Sequence, residues 1–401
     1  MRTMSRTGTL SLDLTDARTF LEQDPYEYFA GLRAHEPVSW HEGRRGQPGF
    51  WVVADYANVV ACYNDPASLG SGRGTVLDVL LRGDDPAGGR MLAVTDRPRH
   101  RELRALLWRA LSPKVLATVA QAVEQYTARL VRQAAELGEF DFAAEVAEHV
   151  PLNTICDLLS VPSADRPDLL EWSKGALTGA DPLDSAESRN ELVMYFMQLA
   201  KLRRAQPGDD VVSTIATGTV GGELLTLEEV ALNCYSLIIG GDESSRVSAI
   251  STVKALAEHP AQWRALVDGR VDLETAVEEA LRWATPSFHF ARTATCDHVI
   301  GGVRIREGDI VSLWNISANN DEDAFVRPRA FDLARSPNRH VALGHGPHYC
   351  LGAFLGRAEL RALLLALTRA VSAIELRGAP VRIESNFLNG YSSLPVRFTP
   401  R

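Results

Sequence analysis

A cysteine in a glycine-rich turn constrains this chain more than any other feature of its sequence. The segment RHVALGHGPHYCLGAFLGRAEL (339–360) places Cys350 after a turn that contains Gly344 and Gly346, and a helical pattern begins almost at once after it. Backbone N–H groups at the start of a helix favour the thiolate form of a nearby cysteine. We therefore expect Cys350 to be either a metal ligand or a nucleophile.

Three kinds of site are compatible with such a thiolate. A structural zinc ion could use His345, His348 and Cys350, but zinc sites usually have a second ligand pair of comparable spacing, and Cys296 stands alone. A catalytic nucleophile needs a base and an oxyanion hole, and the sequence indicates neither. The third kind of site is a haem iron held by one cysteine thiolate.

A resemblance favours the haem site. The segment LGHGPHYCLG resembles the haem-binding loop of the cytochrome P450 superfamily, which has the pattern Phe-Gly-x-Gly-x-His/Arg-x-Cys-x-Gly. The pattern is matched at Gly344, Gly346, His348, Cys350 and Gly352. The chain departs from it at Leu343, where the family usually has phenylalanine. The resemblance implies haem b as the cofactor, with Cys350 as the axial iron ligand.

The same resemblance implies a set of side chains that hold the haem propionates. The segment DRPRHRELRALL (96–107) resembles the family's Asp-x-Pro-x-His-x-x-x-Arg stretch, and its His100 and Arg104 lie four residues apart on one helix face. The resemblance adds three further members to this set, Arg292, His340 and His348. Taken singly, each would be interpreted as a surface charge or a core histidine.

The motif Glu-x-x-Arg in VEEALRW also matches the family. It consists of Glu279 and Arg282, which in isolation would be an ordinary ion pair on a helix surface. The resemblance implies instead a buried structural pair whose arginine meets a carbonyl-rich segment near residues 331–335. We expect this pair to serve folding and not chemistry.

A glycine pair interrupts a long helical pattern at 225–256. Gly240 and Gly241 cost about 2 kcal/mol in helix propensity relative to alanine, so we expect them to let the helix lie close to a flat cofactor and to open a groove for O2. The next residues, Glu243 and Ser244, resemble the family's acid–alcohol pair, which delivers protons during oxygen activation. The alternative is a kinked helix with solvent-facing polar residues.

The resemblance also suggests where a substrate lies. It points to the segments 76–92, 169–202, 287–291 and 387–391 and to the residues before Gly240. The candidate contacts are Leu80, Leu237, Phe288, His289, Phe290 and Leu388, with Asn233, Asn389 and Tyr391 as further hydrogen-bonding groups. A mostly apolar lining suits a medium-sized or large organic molecule.

Composition and pattern bound the fold and the partners. Mixed helical and short strand patterns without a linker predict a predominantly helical α+β protein, and we expect one domain over residues 1–401. The net charge of −9 argues against a nucleic-acid partner. Five scattered cysteines, no apolar leader and no long apolar run suggest a cytoplasmic protein without a membrane span.

The family's activity is the expected function. The resemblance implies a haem-thiolate monooxygenase that uses O2 and electrons from NAD(P)H, delivered by ferredoxin reductase and ferredoxin. It would hydroxylate, epoxidise or oxidatively couple a small-molecule substrate, free or tethered to a carrier protein, in natural-product biosynthesis. We expect ferredoxin to dock on Arg101, Arg109, Arg357 and Arg361. A non-catalytic haem sensor and a peroxide-driven oxidase are the alternatives.

Overall fold

A computed structural model of the chain describes residues 12–44, 46–178 and 182–401. The helices are α1 Thr19–Glu22, α2 Pro25–His35, α3 Tyr56–Tyr63, α4 Leu77–Leu80, α5 Arg99–Ala110, α6 Pro113–Glu136, α7 His149–Leu158, α8 Arg166–Thr178, α9 Pro182–Ala205, α10 Val211–Ala216, α11 Leu227–Glu258, α12 Pro260–Val267, α13 Leu273–Ala284, α14 Asn315–Ala318 and α15 Ala353–Ala370. The predicted helical class with small sheets is confirmed.

The strands are short and form a minor part of the fold. They are β1 Val38–His41, β2 Phe50–Val53, β3 Leu69–Gly70, β4 Glu139–Asp141, β5 Thr219–Val220, β6 Glu223–Leu224, β7 Phe290–Ala294, β8 His298–Ile300, β9 Val303–Ile305, β10 Ile310–Leu313, β11 Val371–Leu376, β12 Val381–Arg382, β13 Tyr391–Ser393 and β14 Pro395–Pro400. The largest sheet has the order β1-β2-β10-β7-β3.

Helix α11 organises the helical part of the molecule. It begins at a capping box, in which the Thr226 hydroxyl accepts a hydrogen bond from the Glu229 N–H and the Glu229 carboxylate accepts one from the Thr226 N–H. Both bonds satisfy donors that a helix start leaves free. Along its length α11 packs against α7, α9, α13 and α15. The central helix is thus fixed on several sides before it reaches its glycine pair.

Two apolar cores meet around α11 and α15. One contains Ile155 of α7, Ile238 of α11 and Leu355 of α15, and Leu351 packs against it. The other contains Val253 and Leu363 from the same two long helices. Since Leu351 follows Cys350 directly, the cysteine turn is anchored in the core that also holds α11.

The Glu279–Arg282 pair of α13 lies fully inside the protein. The two side chains are wholly buried and make a two-point contact, with both N···O distances at 2.8 Å. Arg282 also donates to the carbonyls of Asn319, Pro328 and Ala330. Arg335 and Asn338 donate to Glu279. These contacts tie α13 to the segment before the cysteine turn, in agreement with the structural role expected.

The membrane question is partly answered by the helices. Within the described residues, none of them is long and apolar enough to cross a lipid bilayer. The expectation about a leader concerns mainly residues 1–11, which lie outside the described residues.

Candidate active site

The cysteine turn is held by backbone bonds and by close packing. The N–H of Cys350 donates to the carbonyl of Leu343 at 2.9 Å, and the N–H of Tyr349 donates to Gly346 at 3.0 Å. Gly346 has φ +67°, and a Cβ atom there would lie 2.4 Å from the carbonyl oxygen of Tyr63. Only glycine fits, so the turn places Cys350 at a fixed point just before α15.

The charge state of the Cys350 thiol differs from the expectation. The N–H of Gly352 and the charges of Arg104 and Arg357 lower its pKa, as a helix start should. Burial raises the pKa more than these groups lower it, so the thiol form is favoured in the protein alone. Although surrounding protein groups desolvate the thiol, the Cys350 residue keeps solvent-accessible surface. A bound metal cation would reverse the balance, because coordination deprotonates a thiol.

Four of the five proposed propionate ligands come together beside this thiol. The rings of His100 and His348 lie 4.1 Å apart between centroids, and the charges of Arg104 and Arg292 act on both rings. Burial, assisted by these arginines, lowers the pKa of His100 to about 4 and that of His348 to about 3. Arg104 donates to the carbonyl of Tyr349 at 2.6 Å.

This group has more positive charge than its protein neighbours compensate. Arg292 is 5% exposed, yet its guanidinium has one hydrogen bond among the described residues, to the carbonyl of Ala291. Asp96, whose charge acts on Arg292, already accepts hydrogen bonds from the backbone of Ser71 and Gly72. Buried cations require anionic or polar partners. The residues therefore fit a cofactor with acidic groups, such as the propionates of haem.

A buried polar atom without a hydrogen-bond partner among the described residues also suits a cofactor with acidic groups. The Nε2 atom of His100 is buried and forms no hydrogen bond with the described residues. A carboxylate next to Arg104 and Arg292 would accept hydrogen bonds from this ring and from the guanidinium groups.

His340, the fifth proposed ligand, is bound by other groups of the protein. Its Nε2 atom is 3.1 Å from the carboxylate of Glu278, and its Nδ1 atom accepts a hydrogen bond from the N–H of Ala342. Both ring nitrogens are thus engaged by the protein. Glu278 also binds Arg357, and these contacts lower the pKa of its carboxyl to about 2 even though burial raises it. His340 braces the cysteine turn against α13.

The two glycines of α11 face different surroundings. A Cβ atom on Gly240 would meet no other atom within 4 Å, whereas one on Gly241 would lie 2.5 Å from Cδ1 of Ile155 on α7. Gly240 is therefore the residue that keeps a helix face open, as we expected of both. Gly241 allows α11 to pack closely against α7, so its role differs from the one predicted.

Glu243 and Ser244 have distinct local partners. The Ser244 hydroxyl donates to the carbonyl of Gly240 at 2.7 Å, which places it on the open face of the helix. The Glu243 carboxylate is buried and forms a two-point ion pair with Arg246, which the sequence analysis did not single out. The i, i+3 spacing of Glu243 and Arg246 on a helix was the available signal.

Three of the segments proposed to face the substrate, 76–92, 287–291 and 387–391, contact one another, and Leu77 N–H donates to His289 across the first two. Phe288 N–H donates to the Phe387 carbonyl at 2.8 Å, and Ser287 and Leu388 form an isolated β-bridge. The N–H of Ala291 donates to the carbonyl of Thr75, which directly precedes the segment 76–92. The tertiary fold thus gathers segments that are more than two hundred residues apart.

The six candidate substrate contacts divide into two groups. Leu237, Phe290 and Leu388 are partly exposed and remain available to a ligand. Leu80, Phe288 and His289 are instead buried in the core. Phe288 packs on Phe20, and the ring of His289 lies 4.6 Å from that of Trp314 and accepts a hydrogen bond from Leu77 N–H. Burial lowers the pKa of His289 to about 3.

The proposed polar anchors are also used by the protein. The Asn233 side chain accepts a hydrogen bond from Leu92 N–H and donates one to the Arg90 carbonyl. These bonds tie the segment 76–92 to α11. The Asn389 side chain donates to the Ala284 carbonyl. Their hydrogen bonds position the loops around the open face of α11.

Two buried acids, on α11 and α15, were not predicted. Asp242 of α11 accepts a hydrogen bond from Ser173 at 2.9 Å, and burial raises its pKa to about 6. Glu359 of α15 is also buried, and burial raises its pKa to about 7. The sequence did contain a signal for Glu359, because an acidic residue on an apolar, leucine-rich helix face is unusual.

The zinc alternative gains no support from the geometry. In the part of the chain that the structure describes, no cluster of three or more histidine, cysteine or acidic side chains could hold a metal ion. A single thiolate beside a cationic group suits haem better than a tetrahedral zinc site.

The proposed docking face is smaller than expected. Arg357 is paired with Glu278 at 2.6 Å, and Arg361 with Glu274 at 2.7 Å, so their charges are largely compensated. Arg101 and Arg109 on α5 are exposed and form no ion pair with any described residue. They are the members of the predicted face that keep a free positive charge.

Comparisons with known proteins agree with this geometry. The family model described as Cytochrome P450 matches residues 272–384. Cytochrome P450 NovI from Streptomyces niveus is 44% identical, over 99% of this chain and 98% of its own length. A steroid C26-monooxygenase from Mycolicibacterium smegmatis is 33% identical, over 96% of this chain and 93% of its own.

Solved structures show the same fold. The crystal structure of P450 OxyD, described as involved in the biosynthesis of vancomycin-type antibiotics, superimposes with a TM-score of 0.88. It is 33% identical and covers 98% of this chain and 100% of its own.

Proposed function

Since the chain belongs to the cytochrome P450 family of haem-dependent monooxygenases, we propose that it oxidises a medium-sized organic molecule in natural-product biosynthesis, with Cys350 as the iron ligand. The observation that carries this assignment of the site is the buried, under-compensated cationic group beside a single thiol. We further propose that residues 1–401 act as one haem-binding unit, which the nearly full-length match to the relatives supports.

The haem would be held from two sides. Cys350 would supply the thiolate, while Arg104, Arg292, His100 and His348 would bind the propionates through charge-assisted hydrogen bonds. Bound haem supplies a redox-active iron that activates dioxygen with two electrons. The ion pairs of Glu278 keep His340 and Arg357 in place and so fix the direction of the cysteine turn.

Proton supply is proposed for the open face of α11. The Ser244 hydroxyl, held by the Gly240 carbonyl, can accept a proton and donate one towards the pocket. Glu243 lies one residue earlier and is ion-paired with Arg246; its carboxylate would exchange protons when that pair opens. Serine retains the hydroxyl of the family's usual threonine but is less restricted in its rotamers.

We infer the substrate class from the lining and from one structural relative. Leu237, Phe290 and Leu388 offer apolar contacts, and the polar side chains nearby are largely used by the protein. Such a lining suits a mostly apolar molecule, either free or attached to a carrier protein. The OxyD relative belongs to antibiotic biosynthesis, and that context is proposed here by similarity.

Electrons are proposed to come from NAD(P)H through ferredoxin reductase and ferredoxin. Arg101 and Arg109 would attract an acidic ferredoxin even though the whole chain carries a net charge of −9.

The decisive test is the carbon monoxide spectrum of the reduced, purified protein. A thiolate-ligated haem gives a strongly red-shifted Soret band, and Cys350→Ser is expected to abolish that band. Cys296→Ser, which removes an exposed cysteine elsewhere, is the matched control and should leave the band unchanged. A band that survives Cys350→Ser would overturn the assignment.

The substrate is then sought with the same protein. A panel of organic compounds, each presented free and attached to a carrier protein, is titrated while the Soret band is monitored. Displacement of the water ligand by a bound substrate shifts that band. A shift with carrier-bound compounds only would assign a tethered substrate.

A further inference from the structure

A second group of arginines, far from the cysteine turn in sequence, also lacks anionic partners. Arg329 is exposed, and its guanidinium forms neither a hydrogen bond nor an ion pair with any described residue; its central carbon lies 3.6 Å from the centre of the Tyr26 ring. Arg382 has one long hydrogen bond, 3.4 Å to Oδ1 of Asn389. The Nε atom of Arg382 is buried and has no partner among the described residues. Guanidinium groups left in this state favour an anionic ligand.

The two arginines act on the same place. The positive charges of Arg329 and Arg382 both act on the Tyr26 hydroxyl, and the Asn389 side chain forms a hydrogen bond with it. Burial raises the pKa of Tyr26 above its ordinary value, so the phenol stays neutral and compensates neither charge. The guanidinium carbon of Arg382 also lies 5.8 Å from the centre of the Tyr391 ring. Two positive charges therefore meet beside two aromatic rings.

The acids in the surrounding elements are engaged by other groups. Asp24 caps the first turn of α2 with its carboxylate. Glu258 pairs with Lys254 at 2.6 Å, and Glu384 pairs with Arg18 at 3.4 Å. None of these acids forms an ion pair with either arginine of the group. The described part of the chain thus leaves both positive charges uncompensated.

One side of this group is held firmly by the fold. The carbonyls of Pro328 and Ala330 both accept hydrogen bonds from the buried Arg282, so the backbone on either side of Arg329 is fixed. The Arg329 guanidinium is stacked on the Tyr26 ring, which restricts the direction of its N–H groups. This half of the group is therefore preorganised for a ligand.

The other side belongs to the hairpin that carries a proposed substrate segment. Arg382 of β12 and Tyr391 of β13 lie opposite each other in the register, and Ile383 N–H donates to the Gly390 carbonyl at 3.1 Å. Leu388, a candidate substrate contact, lies in the loop between these strands. A ligand held by both arginines would therefore tie this hairpin to α2.

We propose that Arg329 and Arg382, with Tyr26, form a site for the phosphate group of a small phosphate monoester, separate from the haem site. Two uncompensated positive charges match the charge of about −1.5 to −2 that such a group carries near pH 7. Each guanidinium can donate two parallel hydrogen bonds to its oxygens. Occupancy of the site holds the hairpin of β12 and β13 in place. The binding itself is independent of the proposed function, and only an effect on substrate rests on it.

Calorimetric titration of the haem-loaded protein with phenyl phosphate, at constant ionic strength, tests the site. We expect the unaltered protein to bind, and Arg329→Gln and Arg382→Gln each to weaken binding about tenfold or more, because each removes a charge-assisted contact. Arg264→Gln is the matched control, since Arg264 is an exposed arginine of α12 whose side chain bonds only to the Pro260 carbonyl among the described residues. No binding by the unaltered protein, or equal affinity in all variants, would refute the site.

The class of ligand has its own test. Acetate, which carries one negative charge, should bind at least about tenfold more weakly than phenyl phosphate at the same ionic strength. Equal affinities would refute the match to a phosphate monoester. Arg329→Gln should leave the urea unfolding midpoint unchanged, because its guanidinium forms no hydrogen bond with the described residues. A loss of binding at an unchanged midpoint assigns the effect to the ligand contact.

Hydrogen exchange tests the effect on the hairpin. Phenyl phosphate should slow the exchange of the Ile383 amide in the unaltered protein and leave it unchanged in Arg382→Gln. The amides of the β8–β9 hairpin are the internal control and should exchange at the same rate with and without the ligand. An Ile383 amide that does not respond would refute the role of the site in holding the hairpin.

These readouts are independent of the carbon monoxide test. If the red-shifted band is present and phenyl phosphate does not bind, the phosphate site fails while the haem-thiolate assignment stands. If that band is absent but binding depends on Arg329 and Arg382, the phosphate site belongs to a protein with another function.

Discussion

Two buried arginines differ in how their charges are compensated. Arg282 is wholly buried, but Glu279 and three backbone carbonyls surround its guanidinium. Arg292 is nearly as buried and has one carbonyl. The first charge is satisfied by the fold itself, whereas the second lacks such a set of partners among the described residues. This contrast separates a structural residue from a ligand-binding one.

The contrast predicts opposite effects of removing each charge. Arg292→Met should leave the haem-free protein as stable as before or more stable, because an uncompensated charge is removed. It should weaken haem binding about 10- to 100-fold, since a charge-assisted hydrogen bond contributes about 1.5–3 kcal/mol. Urea unfolding and haem titration measure the two effects.

The matched control is the satisfied arginine. Arg282→Met should destabilise the haem-free protein by about 3–5 kcal/mol, because it leaves Glu279 buried without its partner. If Arg292→Met behaved in the same way and kept its haem affinity, the propionate assignment would be wrong.

His289 gives a pH-dependent contribution to stability. Burial holds its pKa at about 3 in the folded protein, whereas in the unfolded chain it titrates near about 6.5. Below about pH 6.5 the unfolded chain therefore binds more protons, and the free energy of unfolding falls as the pH falls towards 3. His289→Phe should remove about 1.4 kcal/mol of this loss for each pH unit.

The measurement is urea unfolding at several pH values between 4 and 8. The slopes are compared because Phe also alters packing beside Trp314. The exposed His35→Phe should leave the slope as it is. An unchanged slope in His289→Phe would mean that the pKa of His289 is similar in the folded and the unfolded protein, so that burial does not hold this ring neutral.

At the scale of elements, the glycine pair of α11 serves two neighbours. Gly240 leaves space on the open face of the helix, and Gly241 lets Ile155 of α7 approach. The same low helix propensity thus has one functional and one packing cause. Helical spacing explains the division, because adjacent residues point about 100° apart around the axis.

Alanine substitutions are expected to separate these causes. Gly240→Ala should stabilise the haem-free protein by about 0.5–1 kcal/mol, since alanine has the higher helix propensity and its methyl group meets no atom there. Gly241→Ala should destabilise it by about 1–3 kcal/mol through overpacking against Ile155. Thermal and urea unfolding give these values.

A double variant distinguishes packing from backbone effects. Ile155→Val removes Cδ1, the nearer of the two Ile155 atoms that a Cβ atom at position 241 would strike, and leaves Cγ1 at 2.8 Å, so it should recover part of the loss in Gly241→Ala. Simple additivity of the two single changes would show that Ile155 is not the cause.

At the scale of the whole molecule, α5 carries exposed positive charge although the net charge of the chain is negative. The chain has a net charge of −9, but α5 exposes Arg101 and Arg109 next to the buried His100 and the half-buried Arg104. On this helix, His100 and Arg104 belong to the cationic group of the site, whereas Arg101 and Arg109 present free positive charge to solvent. An acidic electron donor would therefore be guided to the side of the molecule nearest the thiol.

Charge reversal on α5 tests this arrangement. Arg101→Glu with Arg109→Glu should raise the apparent KM for ferredoxin about tenfold or more at low ionic strength, and the effect should shrink as salt is added. Substrate-induced Soret shifts should not change. Arg304→Glu with Arg306→Glu, on the β8–β9 hairpin, changes the net charge by the same amount and is the control; equal effects of both double changes would exclude α5 as the docking element.

Sequence patterns captured the features that depend on near neighbours. The helix after Cys350 and the long helix predicted at 225–256 follow from local spacing, because the partners lie within a few residues. The family resemblance rested on such short patterns. The gathering of His100, Arg104, Arg292 and His348 was also expected, but only by resemblance to the family.

Tertiary structure decided which atoms were already satisfied. The family motif placed His340 near the cofactor, but its ring is bound to Glu278 of α13. The motif also placed His289 in the substrate pocket, but its ring packs against Trp314. Glu359 acquires its surroundings from α7 and α11. Hydrogen bonding and burial depend on distant elements in contact, so the chain alone specifies the chemistry available and the fold determines which of it remains free.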